Sequence, residues 1–410
     1  MGAATSISDA WFIVERTTTA VNHGHTGAYL LYSYIALSEF GASSIILRAP
    51  AILSGALLML FSICLFRVQG YSIFWQYLAV ISLFGQTLIV YFIGEARTYM
   101  PLTASVVGLL AYYMGRARGI DSRALRMTGI GSASFGVLMS PYIAIYWPAV
   151  AFVGYISFLF EKRQAPNLRT LWSFLNLPLV TSGVVAFFLI GMFTWMRGSP
   201  TFTFDPFEWI RTPSIWAHLL DYSHIQFLSR RKTAAIVLTV AAIICCCYFG
   251  VKDKSGLSGL SIPVLLLGTT AVVSALIAYF SYRMNYWILG RQFTTSAALI
   301  ALGVIWLWAE CARLLRQRSA LASLVIGLTA AFILFGQVRH NHDTQWSRQR
   351  AQVEARVTML SEIVCTPFTN TPHHLPIQEG NDAWVAEANR NILCGGPVWP
   401  LFRSYYEARP

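Results

Sequence analysis

Between two apolar stretches, Tyr71 to Ile93 and Pro101 to Met114, the chain carries Gly94-Glu95-Ala96-Arg97-Thr98-Tyr99. Charges are costly in hydrocarbon, so a Glu and an Arg here mark a membrane interface or a protein-lined cavity. One reading is an ion pair that anchors the end of a span. The other is a polar site at the mouth of a membrane-embedded centre. Arg and Tyr side chains can hold and neutralise a phosphate leaving group, and a carboxylate can take a proton from a hydroxyl or amine.

The remaining polar chemistry collects in segments of the same kind. Asp9 sits in Ser8-Asp9-Ala10-Trp11, with Glu15 behind it, and His23-Gly24-His25 follows. The stretch 194–233 adds Asp205, Glu208, His218, Asp221, Tyr222 and His224, and 281–293 adds Tyr282, Arg283, Asn285, Tyr286, Arg291 and Gln292. Each has a plainer reading. Asp9 can be a solvated acid, and Arg283 and Arg291 simple interface residues. Tyr282, Tyr286 and Trp287 fit an aromatic belt. His23 and His25, at i and i+2, do not have a helical metal-ligand spacing. No phosphate-binding P-loop, dinucleotide fingerprint, G-x-S-x-G elbow or H-E-x-x-H pair is present.

The elements that must position these residues are membrane helices. Of 410 residues 56% are hydrophobic and 12% charged, against roughly 25% charged in a soluble domain. Apolar runs near 20 residues long predict an all-α polytopic bundle of about 10 spans. They fall near 45–66, 72–93, 99–115, 126–140, 142–160, 171–193, 234–250, 260–280, 294–312 and 320–337. Gly27 to Gly41, with Tyr29, Tyr32 and Tyr34, is short for a span and fits a helix lying at the interface. Pro141 and Pro148 divide the stretch from Arg126 to Phe160. Three regions follow: 1–44 as an outer loop with its interfacial helix, 45–337 as the membrane domain, and 338–410 as a soluble tail.

The net charge of +12 is not a nucleic-acid signal, because most of the basic residues sit in short loops between spans. Arg67, the set Arg116, Arg118, Arg123 and Arg126, then Lys162, Arg163 and Arg169, then Lys252 and Lys254, then Arg313, Arg316 and Arg318 occupy alternate loops. The positive-inside rule makes those loops cytoplasmic. The N-terminus, the Glu95–Arg97 turn, 194–233, 281–293 and the tail then face outward in a cell (inner) membrane. An outward N-terminus without a preceding span leads to two readings: a first membrane helix missing upstream of Met1, or a short polar N-terminus that is itself translocated. Met1 to Ser8 lacks the basic and apolar regions of a cleavable signal. Of seven Cys, Cys64, Cys245, Cys246, Cys247 and Cys311 lie in or beside spans as small hydrophobes. Cys365 and Cys394, in the outward tail, are in a position to pair.

This order of parts resembles the GT-C membrane glycosyltransferases, the broad group that includes protein O-mannosyltransferases and the aminoarabinose transferase of lipid A. Members carry an Asp on the first outer loop, then a His-Pro-Pro-Leu-Tyr-Tyr-like helix start, matched by His25-Thr26-Gly27-Ala28-Tyr29-Leu30-Leu31. Phe40-Gly41 and Leu47-Arg48-Ala49-Pro50-Ala51 match the family's Phe-Gly and Arg-Leu-Pro-Ser-Ala-like start of a span. Glu95-Ala96-Arg97-Thr98-Tyr99 matches Glu-Ala-Arg-Pro-Tyr, and Gly290-Arg291-Gln292-Phe293 matches a late Arg-Tyr-like span start. The departures are Asp9-Ala10 in place of Asp-Glu, Thr26-Gly27 in place of Pro-Pro, and the absent first helix.

The resemblance implies a sugar transferred from a polyprenyl-phosphate donor to an acceptor on the extracytoplasmic face, with no nucleotide site. It implies Asp9 as the catalytic base and His25, Glu95, Arg97, Tyr99 and Arg291 at the substrate, the two arginines on the lipid phosphate. Some members of the fold use a divalent cation, but the sequence supplies no firm ligand set. The expected partners are the lipid-linked donor, a glycan, lipid or protein acceptor, and the bilayer. Two rivals stand beside this: a transporter or flippase of a lipid-linked solute, which usually shows internal repeats and midplane charges, and a non-catalytic relative of the enzymes.

Overall fold

The computed structural model describes residues 28–40, 44–94, 97–140, 142–162, 166–188, 232–252, 256–283 and 293–341. All regular elements among them are α-helices, so the chain is an all-α protein. The helices are α1 (Ala28–Phe40), α2 (Ser44–Val68), α3 (Ile73–Phe84), α4 (Thr87–Ile93), α5 (Tyr99–Ala117), α6 (Arg123–Met139), α7 (Ile143–Lys162), α8 (Leu168–Phe188), α9 (Lys232–Lys252), α10 (Gly256–Arg283), α11 (Thr294–Arg316) and α12 (Ala320–Asn341). Among the described residues the predicted apolar runs are helical, with a break in 72–93. Ile45–Val68, Ile143–Lys162, Thr294–Arg316 and Ala320–His340 are long and apolar enough to cross a membrane by themselves. The chain divides into two units whose first boundary falls at Leu47–Arg48, inside α2.

In the first unit, α1 is tied to the start of α2 by two tyrosines. Tyr29 OH donates to Leu47 O at 3.0 Å, and Tyr32 OH donates to Ile46 O. The reason lies four residues on. Ile46 O would take the N–H of residue 50 in a regular helix, and Pro50 has none. Tyr32 supplies the missing donor, and the Tyr29 and Tyr32 rings meet edge to face at 6.0 Å.

In the second unit, α5 and α11 form the centre. Nearly every residue of both is buried, including Tyr112, Tyr113, Trp306 and Trp308. Close approach depends on small residues, as membrane interfaces require. A Cβ on Gly129 of α6 would lie 2.7 Å from the Tyr112 ring, and one on Gly154 of α7 would overlap Tyr113 Cβ. By contrast α12 leaves Leu321, Leu324, Val325, Leu328, Phe332 and Phe335 exposed. Such a stripe suits lipid rather than water.

The predicted 72–93 span is broken. Gly85 ends α3, and Gln86 adopts an extended conformation (φ −90°, ψ 116°) before α4 begins. Irregular backbone at membrane depth must be enclosed by protein. It is here: Gln86 and Gln337 of α12 are both buried, and a Cβ on Gly85 would touch Gln337 Cγ.

The basic loops gather at one end. α2 and α5 both close there on left-handed glycines, Gly70 (φ 78°) and Gly119 (φ 75°). In each, paired turn bonds satisfy the last carbonyls: Tyr71 N–H to Phe66 O, and Ile120 N–H to Gly115 O. Arg118 pairs with Glu161 at 2.9 Å and donates to Gln69 Oε1 at 3.2 Å, and Arg116 reaches Ser173 O. Arg126 grips Asp121 through two nitrogens, the Nε–Oδ1 bond being 2.7 Å. These hydrogen bonds, first of all, hold the Asp121 carboxyl below its usual range.

Candidate functional site

At the opposite end α4 stops at Gly94, whose N–H returns to Tyr91 O at 3.1 Å. Arg97 follows, exposed, and pairs with no acid among the described residues. Thr98 and Tyr99 are buried directly after it, and α5 begins. The Tyr99 ring packs on Phe92 at 4.8 Å, and Phe92 in turn meets Tyr91 edge to face at 4.9 Å. Aromatic rings thus bracket the turn that carries Arg97.

The first turns of α5 and α11 lie side by side beneath this turn. Thr103 Oγ1 donates to Tyr99 O at 2.8 Å and lies 2.9 Å from Thr295 Oγ1. The next residue, Ser296, is 2.8 Å from Tyr146 OH of α7 and 3.0 Å from Ser274 Oγ of α10. All five hydroxyls are buried, forming a polar band across four helices.

Direction adds to charge. α5 and α11 both start at the Arg97 end and run toward the Arg-rich end, where Arg118, just past α5, meets Gln69 and Glu310 of α11 meets Tyr71. Their N-terminal partial positive charges therefore both face the end that exposes Arg97. Two like-directed helix starts, a cation and an aromatic flank favour an anionic head on an apolar tail.

Among the predicted site residues, Arg97 and Tyr99 are placed: Arg97 is exposed, and the Tyr99 ring is buried against Phe92. Asp9, His25, Glu95 and Arg291 lie outside the described residues, as do 194–231, Cys365, Cys394 and the tail beyond Asn341. Arg291 precedes Phe293, the buried residue that caps α11, by two positions. No three His, Cys, Asp or Glu side chains among the described residues are grouped to hold a metal ion.

Sequence reasoning missed the hydroxyl band and a second buried group. Thr294-Thr295-Ser296, three hydroxyls at the start of an apolar span, was the available signal for the first. For the second it was Glu310, an acid inside the same span. Glu310 is buried at the Arg-rich end and accepts from Tyr71 OH at 2.7 Å and from Arg313 Nε at 3.0 Å.

No family model matches the chain, and no curated protein matches it. Two solved structures are similar to it. The crystal structure of ArnT from Cupriavidus metallidurans in the apo state is 15% identical, with a TM-score of 0.45, covering 97% of this chain and 69% of that one. The crystal structure of the same protein bound to undecaprenyl phosphate is 17% identical, with a TM-score of 0.43, covering 97% and 70%.

Proposed function

We propose that this chain is an integral membrane glycosyltransferase that moves a sugar from a polyprenyl-phosphate donor to an acceptor on the extracytoplasmic face of a cell membrane. The observation that carries the reading is Arg97: an exposed cation in the turn between the Phe92 and Tyr99 rings, at the end where α5 and α11 both start and opposite the Arg-rich end. The positive-inside rule puts that end outside. A lipid phosphate needs that combination, an apolar flank for the isoprenoid and positive charge for the head.

In the proposed reaction the acceptor oxygen or nitrogen attacks the anomeric carbon. The bond from that carbon to the phosphate oxygen breaks, and its electron pair stays on the lipid phosphate. Asp9 takes the acceptor's proton. Arg97 and Arg291 hold the phosphate and offset the charge that develops as it leaves. Glu95 orients Arg97, and Tyr99 and His25 contact the substrate.

The test uses the protein in lipid with a panel of polyprenyl-phosphate sugars, reading free lipid phosphate by mass spectrometry. Release by wild type that is lost in Asp9→Asn and falls steeply in Arg97→Ala is the expected result. Full release by both variants would remove the assignment. Solute flux with no covalent product would put a transporter in its place.

A further inference from the structure

The hydroxyl band has an order that points to a task. Thr103 carries one hydroxyl proton, and a 2.8 Å bond commits it to Tyr99 O. Either hydroxyl can donate in the 2.9 Å contact with Thr295; with the Thr103 proton on Tyr99 O, Thr295 is the donor. The result is a two-step chain: Thr295 of α11 to Thr103 of α5, and Thr103 to the carbonyl of Tyr99, two residues after Arg97. Both hydroxyls are fully or almost fully buried, so no water competes for these bonds. The chain fixes the Arg97 turn to the first turn of α11. Ser296, the next residue, is held from the other flank by Tyr146 and Ser274, so the first turn of α11 has little freedom to slide.

We infer that Thr295 and Thr103 are positioning residues that set the placement of the Arg97 guanidinium relative to the first turn of α11, and so the affinity for the anionic head of the lipid donor. The inference rests on the glycosyltransferase reading above. It differs from ordinary packing in one respect. Thr295→Val keeps the shape and leaves Thr103 bonded to Tyr99 O, so no buried donor is orphaned and the fold loses little. What disappears is the link between the two helices.

The experiment measures lipid-phosphate release at varied donor concentration for wild type, Thr295→Val, Thr295→Ser, Thr103→Val, the double valine variant and Arg97→Ala. Losing a hydrogen bond of ordinary strength in the bound state corresponds to about a threefold to tenfold rise in donor KM. The expectation is that rise in Thr295→Val with kcat within about twofold of wild type. Thr295→Ser, which keeps the donor, returns KM to near the wild-type value. The double variant is no worse than Thr103→Val alone, because one shared interaction is lost once. Should Thr295→Val not fold, Thr295→Ala read against Thr295→Ser makes the same comparison.

An unchanged KM in Thr295→Val, while Arg97→Ala raises it, overturns the inference and leaves the function standing. A fall in kcat alone, or a defect that serine does not repair, reduces the pair to packing and also overturns it. Absence of release by wild type with every donor overturns the function and takes the inference with it.

Discussion

The Tyr71 hydroxyl donates to Glu310 Oε2 at 2.7 Å across 239 residues of sequence, and Glu310 also receives two bonds from Arg313. A carboxylate this buried is stable only when its charge is met by such donors. The bond joins the loop after α2 to the last turns of α11, at the Arg-rich end of the bundle.

Removing the donor should therefore be costly. Tyr71→Phe deletes a hydrogen bond to a charged acceptor, a loss of about 2 kcal/mol, and should lower the thermal midpoint in detergent. Glu310→Gln should lower it too, since it removes the charge that accepts from both Tyr71 and the exposed Arg313. Unchanged midpoints for both would show that the network does not contribute to stability.

The same bond sets a pH dependence. Burial first, and then the negative charge of Glu310, push the Tyr71 phenol well above its ordinary value. The raised folded value means that the contribution of Tyr71 is complete below the unfolded value of about 10 and lost only as pH climbs beyond it. Tyrosinate absorbance at 295 nm between pH 9 and 11 should thus be the same in wild type and Tyr71→Phe. A missing step in the variant would place Tyr71 in water.

Packing of α7 on α5 gives a paired prediction on two glycines. A Cβ on Gly154 overlaps Tyr113 Cβ, an atom that cannot swing away, whereas a Cβ on Gly131 meets nothing within 4 Å. Gly154→Ala should destabilise by about 1–3 kcal/mol, the usual range for overpacking. Gly131→Ala should leave the midpoint unchanged or raise it, since alanine favours helix. Equal midpoints for the two variants would show that α5 and α7 do not approach as described.

The charge asymmetry predicts sidedness. Arg116, Arg118, Arg126 and Arg313 share one end, and Arg97 is exposed at the other. In intact cells, and in a background stripped of native thiols, a membrane-impermeant maleimide should label Arg97→Cys and spare Asp121→Cys. The reverse pattern would invert the topology and move the proposed site to the cytoplasm.

The sequence showed its helices plainly because apolar length is a local property. The runs at 99–115 and 142–160 appear as Tyr99–Ala117 and Ile143–Lys162. The break at Gly85–Gln86 was not legible, since one glutamine in an apolar run does not announce that Gln337 will enclose it. The same division applies to the site. Arg97 stood out as a charge between spans, yet its support did not. Thr103 and Thr295 are 192 residues apart, and Tyr146 and Ser296 are 150 apart. A threonine in a membrane helix usually bonds its own backbone, so only the packed structure reveals which of them reach across.

Pro50 offers a last test, of how α1 is attached. Without an N–H at residue 50, Ile46 O depends on Tyr32 OH for its hydrogen bond. Tyr32→Phe in the wild-type background leaves that carbonyl without its donor and should cost about 1 kcal/mol. Pro50→Ala restores an N–H that can close the helical bond to Ile46 O. In that background Tyr32→Phe should cost measurably less. The two substitutions are thus expected to be non-additive, with the coupling favouring the double variant over the sum of the singles. Thermal midpoints of the four proteins decide the matter. Strict additivity would mean that Tyr32 stabilises α1 through its ring alone and that the missing proline N–H plays no part.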